Sequence, residues 1–359
     1  MTSFAFVLGN TPELSIAEIE SAVPYSSKNR LTDEILEISS DKIIPEELIN
    51  KLGGTVKIAK FITQSNDIYN FDITSCFENT QKIDFGISVY GQNINIKKVC
   101  LNTKRNFERK GVKSRFVLPK DNSLSSVVVS KQKLQELIIV KDKIFKTVAV
   151  QDFEDWNKRD YGRPCADPAS GMLPPKVARM MVNLVRSKGG LLLDPFCGVG
   201  TILSESLLMG FDVIGSDNSP KAIEFSRKNL DWIAKEYKIK NKYDVFAMDA
   251  RNVSLQSIDA IVTETFMGPL SPTYDAIGNI IKDLEGLYIS CLKNWYGSLK
   301  KDGIIVIAFP SFNLNGLEFR VKSPIDMVGE LGYTLLQGPI TYSRPQAIVK
   351  RNIYKFIKN

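Results

Sequence analysis

Histidine is absent from this 359-residue chain, and its absence excludes several kinds of chemistry. Without imidazole the protein lacks the commonest general base near neutral pH, the Ser-His catalytic pair and every histidine-ligated metal site. Cysteine offers little in its place, because the five cysteines are scattered without a CxxC spacing. We therefore expect free thiols rather than a disulfide framework, and no metal site. Any chemistry must depend on carboxylates, backbone groups or a bound cofactor.

Long apolar runs and an export signal are also missing. No uninterrupted apolar stretch approaches the roughly 18 residues needed to span a bilayer. The start, Met1-Thr2-Ser3-Phe4, has neither the basic nor the apolar region of a signal peptide. Hydrophobic residues make up 43% of the chain and charged residues 24%, which is ordinary for a globular protein. We expect a cytoplasmic protein without a membrane segment, folded into two or three domains.

The order of predicted elements divides the chain into four parts. Short strands and helices in residues 1–75, and again in 76–154, indicate two small α+β units. Residues 155–189 form a proline-containing linker that ends in a helix near Lys176–Val185. From 190 to 359 strands and helices alternate, and the chain closes with two extended runs. This pattern predicts an α/β fold with a doubly wound, mostly parallel sheet and a terminal antiparallel hairpin.

One segment of the second unit holds the positive charge of the chain. Residues 97–115 contain eight basic residues and one acidic residue, a net of +7 that equals the net charge of the whole protein. Lys98, Arg105 and Arg109 are spaced so that they share a face if the segment is helical. Such a face suits a phosphate-rich surface, although a solvated helix is the simpler alternative. The candidate nucleic-acid-binding residues are Lys98, Lys104, Arg105, Arg109, Lys110, Lys113 and Arg115.

The most informative stretch is Asp-Pro-Phe-Cys-Gly-Val-Gly-Thr at residues 194–201, which follows the apolar run Leu191–Leu193. A buried strand that ends in a glycine turn, with Thr201 opening a helix, indicates a nucleotide-like ligand at the strand's carboxyl end. The dinucleotide pattern has a third glycine where this chain has Leu203, so a dehydrogenase loses support. Asp194 would repel a pyrophosphate but attract an ammonium or a sulfonium. S-adenosylmethionine carries both cations.

Polar residues also end the next three predicted strands. Asp217 ends the second strand, where a carboxylate can accept both ribose hydroxyls, and Asp249-Ala250 follows the third and could receive an adenine amino group. Thr263-Glu264 ends the fourth, where a reacting group would lie. Each carboxylate alone suits a helix cap or a solvated turn, but their order favours one ligand site. The predicted cofactor-binding residues are Asp194, Phe196, Gly198, Gly200, Thr201, Asp217, Asn218, Asp249 and Ala250.

These strand ends and the terminal hairpin resemble a class I S-adenosylmethionine-dependent methyltransferase. Over nearly its whole length, the chain further resembles the THUMP-containing tRNA guanosine-10 N2-methyltransferases. The stretches that carry this narrower resemblance are Leu8–Ser15, Phe85–Tyr90, Leu124–Val128, Arg159–Pro164 and Gly171–Lys176.

The resemblance implies a function for each part of the chain. Residues 1–75 would form a ferredoxin-like domain, 76–154 a THUMP domain that grips the tRNA acceptor end, and 190–359 a Rossmann-like catalytic domain. S-adenosylmethionine would be the methyl donor, and the basic residues of 97–115 would bind RNA. The implied reaction is methyl transfer to the exocyclic N2 amine of a guanosine in tRNA, with position 10 as the expected target. The resemblance leaves open whether the protein acts as a monomer or needs an activating subunit, as eukaryotic relatives do.

The catalytic motif departs from the family pattern. Relatives that methylate an exocyclic amine have Asp/Asn-Pro-Pro-Tyr, in which a side-chain oxygen and a carbonyl accept the amine N–H groups and the ring stacks on the base. Here the candidate catalytic residues are Glu264, Thr265 and Phe266, and Met267 follows them. Glutamate keeps the acceptor, but the stiffness of two prolines is lost. Three interpretations stay open: an enzyme with a rebuilt loop, an enzyme acting on a different base or atom, and a tRNA-binding protein that has lost catalysis. An amine methyltransferase acting on DNA is a further option, disfavoured because the amino-terminal half resembles an RNA-binding unit.

Overall fold

Each of the two units of the chain is built on an eight-stranded sheet. The computed structural model describes residues 1–78, 80–167, 171–186, 189–344 and 347–359. These residues fall into a first unit, Met1–Asp155, and a second unit, Trp156–Asn359. Within the expected linker at 155–189, residues 168–170 and 187–188 lie outside the described residues. No helix in the described ranges is long and apolar enough to cross a membrane.

The first unit contains one mixed sheet to which both of the expected small domains, 1–75 and 76–154, contribute strands. β6 and β7 run parallel to β5, and the other neighbouring strands are antiparallel. The strands are β1 Ser3–Leu8, β2 Ser27–Arg30, β3 Ile35–Ser39, β4 Thr55–Gln64, β5 Lys82–Tyr90, β6 Lys113–Val117, β7 Gln135–Val140 and β8 Lys143–Val150, in the order β2-β3-β1-β4-β8-β7-β5-β6. The helices are α1 Pro12–Ala22, α2 Pro45–Leu48, α3 Ile96–Arg109 and α4 Ser126–Lys131, with a 3-10 helix at Ile73–Cys76.

A buried ion pair reinforces the pairing of β4 with β8, which joins the two halves of this sheet. Lys57 on β4 and Glu136 on β7 have side chains that are 1% and 0% exposed, and Lys57 Nζ lies 2.6 Å from Glu136 Oε1. Ser88 on β5 and Thr147 on β8 donate to the same carboxylate at 2.5 and 2.7 Å. Buried charges are tolerated when they are paired and their other hydrogen-bonding groups are satisfied. The network therefore ties four neighbouring strands to one carboxylate.

The second unit is a doubly wound α/β fold, which confirms the predicted Rossmann-like class and its terminal hairpin. Strands β9 to β13 run parallel, and β16 lies antiparallel between β13 and β15. The strands are β9 Leu191–Asp194, β10 Asp212–Asp217, β11 Tyr243–Ala247, β12 Ile258–Glu264, β13 Leu299–Leu314, β14 Leu317–Arg320, β15 Tyr333–Tyr342 and β16 Val349–Lys358, in the order β11-β10-β9-β12-β13-β16-β15, with β14 beside β13. The helices are α5 Phe153–Tyr161, which begins in the first unit, α6 Pro175–Asn183, α7 Thr201–Leu208, α8 Pro220–Glu236, α9 Ile277–Ser298 and α10 Ser323–Asp326, with a 3-10 helix at Ala250–Asn252.

Apolar residues on both faces explain why helices cover both sides of this sheet. Central strand β12 is almost entirely buried, as expected of a parallel strand between two helical layers. On one face, Tyr288 and Trp295 of α9 pack with Ile261 and Ile307 in the main core. On the other face, α7 and α8 contact β10. Because the parallel strands share one direction, their carboxyl ends meet at a single edge, where the predicted cofactor-binding and catalytic residues lie.

Candidate functional site

The carboxyl ends of β9 to β12 border a cavity of about 870 Å³. All the predicted cofactor-binding and catalytic residues except Gly200 line this cavity. The fold therefore brings side chains together that are spread from Asp194 to Glu264 along the chain. The volume lies within the range of ordinary ligand pockets.

The two glycines of the turn after β9 serve different purposes. Gly198 has a φ of +51°, and a β-carbon there would meet no atom within 4 Å, so a ligand can approach its backbone closely. Gly200 has a φ of +82°, and a β-carbon there would lie 2.5 Å from Ser226 Oγ on α8. Gly200 thus permits the packing of α8 against the turn rather than lining the cavity.

Leu203, which replaces the third glycine of the dinucleotide pattern, packs against a glycine on the neighbouring strand. A β-carbon on Gly215 of β10 would lie 2.4 Å from Leu203 Cδ1 and 3.1 Å from Cys197 Cβ. The close approach of α7 to the sheet is therefore obtained by removing a side chain from the strand instead of the helix. This explains in packing terms how the turn tolerates a leucine at that position.

Asp194 is a buried carboxylate at the end of β9. Its side-chain Oδ1 accepts hydrogen bonds from Thr263 Oγ1 at 2.7 Å and from the Phe196 N–H at 3.2 Å. Burial raises the pKa of Asp194 to about 8, and the nearby carboxylates of Asp217 and Glu264 contribute to the rise. A carboxyl group in this environment is stabilised in its charged form by a bound cation.

Asp217, at the end of β10, is held by the main chain on both of its oxygens. The Gly198 N–H donates to Oδ2 at 3.0 Å, and the Ser219 N–H donates to Oδ1 at 2.9 Å. Each carboxylate oxygen can accept a further hydrogen bond, so the group remains able to receive a pair of hydroxyls in a fixed orientation. Asn218 follows it and is exposed at the cavity.

Asp249 caps the 3-10 helix that follows β11, and its carboxylate already has a partner. Arg251 donates through Nε to Oδ1 at 3.0 Å and through Nη2 to Oδ2 at 2.6 Å. This guanidinium holds the pKa of Asp249 below its ordinary value. The adjacent Ala250 carbonyl accepts a hydrogen bond from Trp295 Nε1 at 2.9 Å. A ligand amine at Asp249 would therefore share the carboxylate with Arg251.

The side chain of Glu264, at the end of β12, is bonded to an arginine that the sequence did not single out. Arg351 on β16 donates through Nε to Glu264 Oε1, and through Nη2 to the Gly171 carbonyl at 2.7 Å. Burial raises the pKa of Glu264, and the charge of Arg351 opposes that rise. Both residues and Gly171 line the cavity.

Hydrogen bonds hold the loop after β12, where the family motif in the sequence analysis has prolines. Thr265 is buried, and its N–H and Oγ1 donate to the Ala308 carbonyl at 3.3 and 2.9 Å. The Tyr288 hydroxyl on α9 donates to the Phe266 carbonyl at 2.6 Å. The ring of Phe266 remains 59% exposed and lines the cavity. The loop is thus anchored on both sides while presenting an aromatic surface.

The sequence patterns did not predict that two arginines of the terminal hairpin region line the cavity. They also did not predict that the segment before α6 lines it. Arg344 donates to the Met172 carbonyl at 3.2 Å, as Arg351 does to Gly171. Arg351 lies 87 positions after Glu264, and the local sequence around it shows only an extended run. No short-range pattern indicates such a pairing, which depends on β16 lying beside β13 in the sheet.

The predicted nucleic-acid-binding residues lie on α3, on β6 and between them, in the first unit. The apolar side of α3 is buried. The side chains of Lys98, Arg105 and Arg109 on the same helix are exposed. Other members are paired, since Lys110 lies 2.9 Å from Asp72, Arg115 3.1 Å from Asp84 and Lys104 3.9 Å from Glu108. Lys98 Nζ lies 4.9 Å from the ring centroid of Tyr69, and Lys113 is exposed on β6. We call Lys98, Arg105, Arg109 and Lys113 the basic surface.

Comparison with known proteins relates this site to RNA methyltransferases. Residues 159–314 match the RMKL-like methyltransferase domain. A tRNA (guanine(10)-N2)-dimethyltransferase of Methanothermobacter thermautotrophicus is 36% identical over 180 residues, which cover 49% of this chain and 50% of that relative. A protein of Methanothermococcus thermolithotrophicus, named probable tRNA (guanine(10)-N2)-dimethyltransferase, is 34% identical over 139 residues, 37% of this chain and 78% of its own length.

The aligned part spans about half the length of the first of these relatives. A solved structure, TrmN from Thermus thermophilus, superimposes with a TM-score of 0.58 at 13% identity and covers 100% of both chains. At that identity the likeness shows a shared fold along the whole chain.

Proposed function

This chain belongs to the family of the tRNA (guanine(10)-N2)-dimethyltransferases, and from that membership we propose that it methylates the exocyclic N2 amine of a guanosine in tRNA. S-adenosylmethionine is the proposed methyl donor, and position 10 is the proposed target. The observation that carries the proposal is the convergence of Asp194, Asp217 and Glu264 on one cavity, beside the exposed ring of Phe266. One end of the cavity suits a cation and a ribose, and the other suits an amine on a flat base.

The cofactor end fits S-adenosylmethionine in three respects. Asp194 is a buried carboxylate whose pKa is raised by burial, and the ammonium of the cofactor would stabilise its charged form. The open space beside Gly198 admits a ligand against the main chain, and Asp217 presents fixed oxygens to the ribose hydroxyls. When bound, the cofactor supplies an electrophilic methyl group on a positively charged sulfur.

At the amine end, the residues of the rebuilt loop position the nucleophile. Glu264 and the main-chain carbonyl of Thr265 accept the two N–H groups of the amine, since the Phe266 carbonyl is already bonded to Tyr288. The lone pair of such an amine is delocalised into the ring, and holding both N–H groups favours a pyramidal nitrogen that can attack. Phe266 stacks on the base. This chemistry requires orientation rather than a strong base, which suits a chain without histidine.

We assign tRNA binding to the first unit. Its basic surface supplies exposed cations for phosphate contacts, and the aromatic ring of Tyr69 lies beside Lys98. In this proposal residues 76–154 are a THUMP domain and 1–75 a ferredoxin-like domain that shares its sheet. We propose that the reaction takes place in the cytoplasm.

The proposal is tested by methyl transfer to unmodified tRNA transcripts, followed by nucleoside mass spectrometry. We expect N2-methylated guanosine from the wild type and at least a hundredfold lower kcat from Glu264→Ala, because an amine acceptor is lost. Glu318→Ala is the matched control, since Glu318 also pairs with an arginine, Arg320, but outside the cavity.

Three outcomes would overturn the proposal in different ways. Cofactor binding without any methylated guanosine would exclude the reaction. Methylation of another base would replace guanosine as the substrate. Binding of tRNA without measurable affinity for S-adenosylmethionine would identify a tRNA-binding protein.

A further inference from the structure

Arg351 connects three segments that line the cavity. It lies on β16, donates to the carboxylate of Glu264 at the end of β12, and donates to the carbonyl of Gly171 before α6. The Arg351 and Glu264 side chains are 11% and 17% exposed, so water screens their pairing only weakly. An ion pair at this position is part of the cavity wall rather than a surface contact.

Burial and the charges around Glu264 act on its pKa in opposite directions. Asp194 on β9 is the acidic group whose charge is coupled to that of Glu264, and both line the same cavity. Arg351 and Arg344 of the hairpin region are the cations that act on Glu264, and their charges both lower its pKa against the effect of burial. Without a cation, a carboxyl group so placed takes up a proton and presents a donor where an amine needs an acceptor.

The pairing uses only one of the two carboxylate oxygens. Arg351 donates to Oε1, and no hydrogen bond to Oε2 is found among the residues that the structure describes. One oxygen therefore fixes the orientation of the side chain, while the other remains available to a substrate. The family's acid is one methylene shorter and is followed by two prolines. Here an ion pair with a distant strand provides the rigidity that those prolines would give.

From this geometry we propose that Arg351 is a positioning residue that holds Glu264 as an oriented, ionised acceptor for the substrate amine. The role rests on the proposed function, in which Glu264 receives an N–H of guanine N2. Arg351 does not contact the amine in this scheme; it acts through Glu264. The pair explains how a glutamate replaces the shorter acid of the family without losing a defined orientation.

The test combines a titration of Glu264 with a pH profile of kcat. Glutamate carboxyl carbons are labelled with ¹³C, and the Glu264 signal is assigned by its loss in Glu264→Gln. In Arg351→Met we expect the pKa of Glu264 to rise by at least about one unit, a tenfold change in proton affinity. Because the acceptor must be ionised, the acidic limb of kcat should move to higher pH by the same amount. Arg351→Lys should restore most of both changes, since it keeps the charge.

Two matched variants separate this role from a general loss of charge or stability. Arg320→Met removes an arginine that pairs with Glu318 outside the cavity, and should change neither the titration nor the profile. Arg344→Met removes a cavity cation that is not bonded to Glu264, and should produce a smaller shift. Thermal unfolding and S-adenosylhomocysteine binding verify that each variant is folded.

The outcomes distinguish this inference from the proposed function. An Arg351→Met variant with an unshifted Glu264 titration, or with a lower kcat by the same factor at every pH, would overturn the positioning role. If the wild type fails to methylate tRNA, the proposed function fails, and the role toward the amine fails with it. In that case the carboxyl titration still shows whether Arg351 keeps Glu264 ionised.

Discussion

At the scale of single residues, the cavity depends on carboxylates whose surroundings differ sharply. Burial raises the pKa of Asp194 to about 8, Arg251 holds the pKa of Asp249 below its ordinary value, and the charge of Arg351 opposes the rise that burial causes in the pKa of Glu264. These environments suit different partners, because a carboxyl group without a cation attracts one, whereas a paired carboxylate already has its charge compensated. Asp194 is therefore the residue whose charge state should respond most to ligand binding.

Binding of S-adenosylhomocysteine should release a proton from Asp194. With a pKa of about 8, this group is roughly 90% protonated at pH 7, and the ligand ammonium requires the ionised form. Calorimetry at pH 7 in buffers with different ionisation enthalpies should show about 0.9 proton released. Asp194→Asn should abolish that release and weaken binding at least about thirtyfold. Asp217→Asn is the control, and it should weaken binding but keep the proton release. If Asp194→Asn released as many protons as the wild type, the released proton would come from another group.

The same substitution should stabilise the protein at alkaline pH. The folded state holds the Asp194 proton up to about pH 8, whereas the unfolded chain releases it near the ordinary value of 3.8. Stability is thus lost as pH rises from about 4 to about 8, and Asn avoids this loss. We expect Asp194→Asn to raise the Tm by roughly 3–6 °C at pH 8, with a smaller gain at pH 5. A lower Tm of Asp194→Asn at both pH values would contradict the conclusion that burial destabilises the charged form of Asp194.

Phe266 should contribute to substrate binding and not to stability. Its ring is exposed, and stacking on a base contributes about 1–3 kcal/mol. Phe266→Ala should lower kcat/KM for tRNA by a factor of about 5 to 150. The Tm and the affinity for S-adenosylhomocysteine should not change. Tyr161→Ala removes another exposed ring, outside the cavity, and should leave kcat/KM unchanged.

At the scale of secondary-structure elements, the catalytic loop is rigid because of its neighbours. β13 accepts hydrogen bonds from Thr265, and α9 donates one to the Phe266 carbonyl. The prolines of the family motif restrict φ within the loop itself, whereas these bonds restrict the loop from outside. The position of the loop therefore depends on how β13 and α9 pack.

Tyr288→Phe should separate the rigidity of the loop from the stability of the fold. It removes only the hydroxyl that donates to the Phe266 carbonyl, so we expect a loss of about 1–2 kcal/mol in the free energy of unfolding and a several-fold lower kcat. Tyr333→Phe is a close control, because its buried hydroxyl donates to the Leu292 carbonyl at 2.8 Å. It should lose similar stability at unchanged kcat. Equal effects on kcat in both variants would show that stability alone is responsible.

At the scale of the whole molecule, the net positive charge and the cavity lie in different units. Residues 97–115 carry a net charge of +7, equal to that of the whole chain, so the remainder has no net charge. The cavity with its carboxylates belongs to the second unit, and the basic surface belongs to the first. Substitutions on the basic surface should thus act on tRNA affinity and leave the chemical step unchanged.

Reversing two cations of the basic surface tests that separation. Arg105→Glu with Arg109→Glu should raise KM for tRNA and reduce the slope of log affinity against log salt by roughly 1.5–2, with kcat at saturating tRNA unchanged. Lys293→Glu with Lys301→Glu makes the same change in net charge on exposed positions of the second unit. If both double variants weaken tRNA binding equally, net charge and not the basic surface is responsible.

Much of the second unit was predictable from short-range patterns. The apolar run Leu191–Leu193 with its glycine turn, and the acids that end the following strands, depend only on local sequence and on the rule that parallel strands share one edge. The predicted cofactor-binding and catalytic residues, apart from Gly200, therefore meet in one cavity. Gly200 belongs to the predicted set because sequence alone does not distinguish a glycine that lets a ligand approach from one that lets a helix pack closely.

The sequence by itself determined the α/β class, the order of the strand ends and the localisation of charge, because hydrophobic periodicity, turns and composition are properties of neighbouring residues. Only the tertiary structure decided the partners of the catalytic loop. Arg351, Tyr288 and Ala308 reach Glu264, Phe266 and Thr265 from other elements. The shared sheet of the first unit likewise depends on β4 meeting β8. Such contacts arise from the packing of distant segments, which no local pattern specifies.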